Sequence, residues 1–302
     1  MKLRKQQMQN TVISLVRGFL MVGLSFIILY PFLYMIVVSI RQPSDMLDPT
    51  VVWIPKHLTL DNFKFVAEKM NYGKGFMMSG LIALSCSIFQ TFTCAITGYG
   101  FARFKFKGRT PLFFCVLLTL MVPPQIINMP LYINYVKFTN ITAIPTIDTI
   151  IPMALPALLG TGLRAGLFIY LFRQFFKGMP KELEEAAYLD GCGPIASFFR
   201  IMLVNAGAAI LITFLISFVW YWNDYLNTAL FYTSSKPLAS TLATLTSTLQ
   251  TARNSDGSVI TGTEVQVYVQ TAALMFVTPV LILYMFLQKR FTESVVASGI
   301  VG

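Results

Sequence analysis

Charge is what this chain of 302 residues has least of: only 12% of them are charged, against about 25% in a soluble domain. Polar surface that sparse cannot cover a water-soluble body of this size. Lipid as part of the solvent removes the difficulty. Histidine is nearly missing too. His57 stands alone, so no histidine metal cluster can form. The four cysteines, Cys86, Cys94, Cys115 and Cys192, show no zinc-ligand spacing. The first three lie in apolar runs and are expected to be small buried side chains without chemistry. The phosphate-cradling pattern G-x-x-x-x-G-K-[ST] is absent, because Gly73-Lys74-Gly75 lacks its frame. A dinucleotide fingerprint and a Ser-His-Asp set are absent as well. The expectation is a chain with no metal site, no cofactor and no catalysis of its own.

Long apolar runs are what the chain has instead, with 55% hydrophobic residues. A bilayer core of about 30 Å takes roughly 20 apolar residues in a helix. Six runs qualify: 18–40, 75–102, 110–136, 149–172, 201–223 and 267–288. Only the fourth holds a charge, Arg164, and Pro152, Pro156, Gly160 and Gly162 interrupt it. The predicted fold class is all-α: a polytopic membrane protein of about six transmembrane helices. The first run is too long for a signal-peptide core and lacks a small-residue cleavage site after Ile40, so it reads as a retained helix. The chain divides into an N-terminal segment 1–17, a membrane domain 18–288 and a tail 289–302.

The net charge of +10 could point to nucleic acid, but its placement argues for lipid. Lys2, Arg4, Lys5 and Arg17 precede the first run. Arg103, Lys105, Lys107 and Arg109 follow the second. Arg173, Lys177, Lys181 and Arg200 follow the fourth, and Lys289 and Arg290 follow the last. Those segments hold more than half of the 23 basic residues and fall on one side if six helices span. Both termini are therefore predicted to be cytoplasmic.

The inner segment 177–204 reads KGMPKELEEAAYLDGCGPIASFFRIMLV. Pro180 suits a first helical turn, and Glu182, Glu184 and Glu185 favour the positive end of that helix. Ala186 and Ala187 leave room for a second surface. Gly191 can end the helix in a left-handed conformation, and Pro194 can open the next turn. The segment is a short helix, an elbow and an entry into the fifth span. It could lie on the bilayer or dock on a protein. Its acidic face is a poor match for anionic lipid and favours a protein.

The string EEAAYLDGCGPIASFFRIMLV resembles the EAA loop of ABC importer permeases of the carbohydrate-uptake class, similar to the smaller permease of the maltose transporter. The matching residues are Glu185, Ala186, Ala187, Asp190, Gly191, Phe198, Ile201 and Leu203. The family usually has proline where Val204 stands, so a milder break is expected here. YPFLYMIVVSI (30–40), LTLDNF (58–63), GYGFARFKFKGR (98–109), MVPPQIINMPLY (121–132) and WNDYL (222–226) extend the resemblance over most of the chain. It implies the type I importer permease fold. It also implies a role as one half of a sugar path, with a second permease subunit as the other half. Glu185, Ala186, Ala187, Asp190 and Gly191 would couple to one of two ATPase subunits, which use ATP and Mg. A sugar-binding protein outside the membrane would deliver a di- or oligosaccharide.

Other residues keep two readings. Pro123 and Pro124, with Gln125 and Asn128 after them, either end a helix near the outer surface or line the path, because irregular backbone at membrane depth is tolerated beside a wet cavity. Arg164 either snorkels and pairs structurally or faces the path. Asp224 lies in a predicted aromatic belt of Trp220, Tyr221, Trp222 and Tyr225. The stretch 251–264 reads as an exposed hairpin tip. By position the resemblance makes Arg253, Asn254, Ser255, Asp256 and Gly257 a binding-protein contact. The tail 291–302 resembles one that contacts the ATPases. The other solutes considered are a polyol, a glycerol phosphate or a uronate saccharide. An ion-coupled carrier is the rival mechanism, and the lack of acids within the runs argues against it.

Overall fold

The computed structural model describes the backbone of residues 2–253 and 258–299, and the side chains of 11–253 and 258–289. Among them there is no strand, only isolated bridges of Arg41 with Leu58 and Arg253 with Val259. The chain is all-α. Its contacts divide it into two compact units, one within Met1–Lys69 and Thr244–Thr278, the other within Met70–Ala243 and Pro279–Gly302.

The first unit contains α1 (Lys2–Ser39) and α2 (Asp61–Lys69). From Thr11 to Tyr30 every residue of α1 is exposed, including Phe19, Ile27 and Ile28. An apolar helix uncovered all round has lipid or another chain as its partner. The end of α1 is held by Asn62, whose Nδ2 donates to the carbonyls of Ser39 (2.9 Å) and Arg41 (2.8 Å). Those are orphan acceptors that a helix end leaves. The connecting loop closes on Asp45, which accepts from the Lys56 and His57 amides and pairs with His57 Nδ1 at 2.8 Å.

The second unit is built on α3 (Tyr72–Arg103). Its buried residues recur at helical spacing: Ser79, Ile82, Ala83, Cys86, Ser87, Gln90, Thr91, Cys94, Ala95, Gly98 and Tyr99. Small side chains dominate that stripe, which lets neighbouring helices approach closely in lipid. Around it stand α4 (Arg109–Leu118), α5 (Pro124–Thr142), α6 (Ile151–Leu158) and α7 (Ala165–Gly178). Then come α8 (Glu182–Leu189), α9 (Pro194–Ser197), a π turn over Phe198–Met202 and α10 (Leu203–Asn205). α11 (Gly207–Trp222) and α12 (Tyr225–Phe231) complete it, with the first residues of α13 (Leu238–Thr251). α14 (Gly262–Gly299) runs unbroken. α3 packs chiefly on α7 and α11 and then on α6.

Three described helices are individually long and apolar enough to cross a bilayer: Thr11–Ser39, Tyr72–Arg103 and Gly262–Lys289. The other three runs are broken. The third divides into α4 and α5 around Pro123, and the fourth into α6 and α7 around Gly160, where prolines and glycines stand. The fifth is bent by 77° between Pro194–Asn205 and Gly207–Trp222. The chain bends by this much with Val204, not a proline, at that position. Asn205 Nδ2 donates to the carbonyl of Ile201 at 2.8 Å, and the preceding π turn alters the ladder, so helix direction changes without proline.

Two further expectations change. Cys86 and Cys94 are buried, but Cys115 is exposed, because α4 buries no residue at all. Tyr221 and Trp222 are 3% and 2% exposed, so they belong to the helix-packing interior and not to a lipid-facing belt. Asp224 is the N-cap of α12, accepting from the Asn227 amide at 3.1 Å and its Nδ2 at 2.7 Å.

Outside the spans, Asp148 ties the loop before α6 to the chain after α12. Its carboxylate accepts from Thr233 N (2.7 Å), Thr233 Oγ1 (2.6 Å) and Ser234 N (2.9 Å). Burial pushes this carboxyl up, and the bonds from Thr233 and Ser234 together outweigh that, lowering it from 3.8 to about 2. A depressed carboxyl stabilises above its unfolded value and stops doing so as pH falls through the folded one. Hydrogen exchange of the Thr233 and Ser234 amides, taken relative to the intrinsic rate at each pH, is therefore expected to stay slow at pH 4 and accelerate as pH approaches about 2. Asp148→Asn is expected to accelerate it at neutral pH.

Candidate functional site

The segment 177–204 is built from both ends. α8 starts at Glu182, so Pro180 lies just before the helix and not in its first turn. Glu182, Glu184 and Glu185 occupy that turn, where negative charge suits the helix dipole. The helix ends as its residues foretell. Gly191 has φ +81°, Cys192 N donates to Ala187 O at 2.9 Å, and Gly191 N donates to Tyr188 O at 3.1 Å. This is a Schellman ending, and the left-handed residue is the one that favours glycine. Pro194 opens α9 as expected.

The outward face carries Glu185, Ala186, Asp190 and Gly191, all exposed. Leu189 is 90% exposed and Ile195 75%. Large apolar side chains this open mark a surface that another body covers. Ala187 does not belong to that face. It is 2% exposed and packs within the chain, so of the alanine pair only Ala186 is free for a partner.

Glu184, one residue before the first matching residue Glu185, turns inward. It is buried, its Oε1 accepts from Tyr99 Oη at 2.6 Å, and its Oε2 lies 3.0 Å from Arg103 Nε. Arg103 Nε makes no aligned hydrogen bond there, so the contact is ionic. Arg103 also donates to the Met179 carbonyl at 2.7 Å. Sequence reasoning missed this arrangement, and the available signal was the spacing of Tyr99 and Arg103, which places both on one face of α3. Gly98, on the same turn, explains the close packing. A Cβ there would sit 2.5 Å from Phe172 Cβ and 2.9 Å from Arg173 N.

A second group of residues lies where α6 breaks from α7. Gln90 Nε2 donates to the Leu163 carbonyl (2.9 Å) and Ser217 Oγ (3.1 Å), and Tyr221 Oη donates to Gln90 Oε1 (2.6 Å) and accepts from Leu163 N (3.2 Å). Thr93 Oγ1 donates to the Leu158 carbonyl at 2.8 Å. Backbone groups freed at membrane depth need such partners. Gly162 is required there, because a Cβ would lie 2.4 Å from both Gln90 Oε1 and Tyr221 Oη. The break in the third run comes close by. Gly166 of α7 meets the end of α4, with a Cβ falling 2.7 Å from Val116 O.

Arg164 is exposed beside this junction, in a left-handed conformation (φ +50°), with its guanidinium 5.3 Å from the Trp220 ring centroid. This is a cation–π contact. Pro123 is the N-cap of α5 and Pro124 its first residue, so they begin a helix instead of ending one. Pro123, Pro124 and Gln125 are exposed and Asn128 is half-buried. The proposed outer contact loop is narrower than expected. α13 extends to Thr251, and α14 opens with a capping box in which Thr261 N donates to Glu264 Oε2 at 2.7 Å. Of its five residues only Arg253 is described, in a bridge with Val259. Asn254, Ser255, Asp256 and Gly257 lie outside the described residues, as do the side chains of the tail.

An all-α membrane chain with broken spans and an anchored helix–elbow is the class these features define. The chain belongs to the binding-protein-dependent transport system inner membrane component family, whose model matches residues 92–296. It is a transport component, not an enzyme. It is 28% identical over 282 residues to the arabinooligosaccharides transport system permease protein AraQ of Halalkalibacterium halodurans, covering 92% of this chain and 93% of that protein. Over 293 residues it is 26% identical to the polygalacturonan/rhamnogalacturonan transport system permease protein YtcP of Bacillus subtilis, covering 95% and 97%. Its fold is similar to a solved chain of a bacterial ABC transporter involved in the import of the acidic polysaccharide alginate. There the TM-score is 0.70 at 19% identity, covering 94% of this chain and 98% of that one.

Proposed function

We propose that this chain forms half of the membrane path of an ATP-driven oligosaccharide importer, paired with a second, related permease. Two ATPase subunits bind below, and they use ATP and Mg. The observation that carries this reading is the outward face of α8 and its elbow, with Ala186 and Leu189 open to a partner on an inner segment that matches the EAA loop. A binding protein outside delivers sugar, and the chain around Arg253 to Gly257 is its contact. Both termini are cytoplasmic, with six membrane crossings. The exposed apolar surface of α1 and α4 is covered by lipid or the partner permease.

Pro123, Pro124, Gln125, Asn128 and Arg164 line the path. The supporting observation is that the α4–α5 and α6–α7 breaks lie near each other, and broken helices gather around membrane-depth sites. A uronate-containing saccharide is the second reading. Arg164 is exposed at that junction, and the proteins similar to this one include importers named for polygalacturonan and alginate.

The test is purification of the chain with the products of its neighbouring genes, followed by reconstitution. The expected result is co-purification of an ATPase and hydrolysis stimulated by binding protein plus one of a panel of arabinan, galacturonan and chitin oligosaccharides. Uptake into vesicles by this chain alone, without ATP, would sink the reading.

A further inference from the structure

We propose that Glu184, Arg103 and Tyr99 form the mechanical link that makes α8 move as one body with α3; the proposal rests on the coupling role given to α8 above. Only two of the eight residues of α8, Glu184 and Ala187, are buried. Ala187 offers a methyl group, so Glu184 is the buried polar tie between α8 and the bundle, and the half-open Tyr188 adds a side-chain hydrogen bond to Tyr99. Its partners both come from the inner end of α3: Tyr99 Oη at 2.6 Å and Arg103 Nε at 3.0 Å. Arg103 and Glu184 side chains are 8% and 9% exposed, which keeps water from competing for the contact. Arg103 also holds the linker between α7 and α8 through the Met179 carbonyl. The Tyr99 ring packs against Phe176 of α7 at 5.5 Å and Phe198 of the π turn at 4.9 Å.

A load applied to the exposed face of α8 therefore has a direct route to α3 through a buried charge pair and a hydrogen bond, beside the packing of α8 on α9 and the π turn. α3 then bears on α7 and α11, its main packing partners. The paired acids divide the work. Glu185 faces the partner, and Glu184 faces the bundle. Glu184 and Arg103 are positioning residues, and they touch no substrate.

The test uses the assembled complex with Cys115→Ala and Cys192→Ala as background and Lys74→Cys as a reporter at the other end of α3. Maleimide labelling of the reporter is measured with and without a non-hydrolysable ATP analogue. The parent is expected to change its labelling rate by about tenfold on adding the analogue. Glu184→Gln is expected to retain the ATPase subunits and lose that response. The exchange Glu184→Arg with Arg103→Glu is expected to restore it in part, which a merely structural residue would not show. Should Glu184→Gln fail to accumulate, Arg103→Lys decides, with a weakened response expected. An undiminished response in either variant overturns the proposal. So does loss of the ATPase from Glu184→Gln alone, because the pair would then shape the docking surface instead of transmitting from it. Failure of the parent itself to bring down an ATPase overturns the coupling role of α8, and this link with it.

Discussion

Ala186→Trp is expected to strip the ATPase from the purified chain while leaving the chain's own yield unchanged. Ala186 is exposed on α8, so the larger side chain meets nothing within this chain and clashes only with a docked partner. Overpacking at such a contact costs about 1–3 kcal/mol, and every 1.4 kcal/mol is about tenfold in affinity. Pull-down of the ATPase at graded concentrations measures it. Ala187→Trp is the contrasting variant. Ala187 is 2% exposed, so that change is expected to lower folded yield before docking is at issue. A double substitution of both alanines would confuse the two effects. Gly191→Val acts differently again. Space is open around Gly191, and the cost is its left-handed φ of +81°, about 1–2 kcal/mol for a side chain with a β-carbon. It is expected to loosen the elbow and reduce docking by less than Ala186→Trp does.

Gly98→Val is expected to be the most damaging single change to the bundle. The nearest atoms to a Cβ at that position are Phe172 Cβ at 2.5 Å, Arg173 N at 2.9 Å and Ile169 O at 3.1 Å. Two of the three are backbone, so no rotamer change relieves the clash. α3 and α7 must separate, which puts the effect at or above the usual 1–3 kcal/mol for overpacking. It also withdraws the support for the adjacent Tyr99 and for Arg103 about a turn further on. Loss of membrane-inserted protein, or a clear fall in its melting temperature in detergent, is the expected readout. Gly80→Val on the same helix is the control, since nothing lies within 4 Å of a Cβ there.

Much of the inner segment was legible in its residues. Glutamates at a helix start, a glycine after Leu189 and a proline at 194 each have a local backbone preference, and local preferences are written in neighbouring residues. Glu184 and Ala187 were not legible in the same way. Each sits beside a residue of its own kind, and which of the pair faces inward depends on where α3 crosses. The break around Gly160 was visible as prolines and glycines. Its partners Gln90, Ser217 and Tyr221 were not, because they come from distant parts of the chain. Tyr221 and Trp222 misled for a related reason. Aromatic residues near a span end suit an interface, yet close packing on α3 buries them.

By itself, the sequence determined the solvent and the class of structure. A chain 55% hydrophobic and 12% charged, with its charges gathered between apolar runs, has to put helices in lipid, because an unpaired backbone there is too costly. It also carried the resemblance to the family, through the contiguous stretch Glu185 to Leu203. Only the tertiary structure decided which runs stay straight, which glutamate joins the bundle and which alanine meets a partner. Those outcomes depend on contacts between helices far apart in the chain, where a Cβ at Gly98 or Gly162 would fall within 2.5 Å of a neighbour, and no local preference encodes that distance.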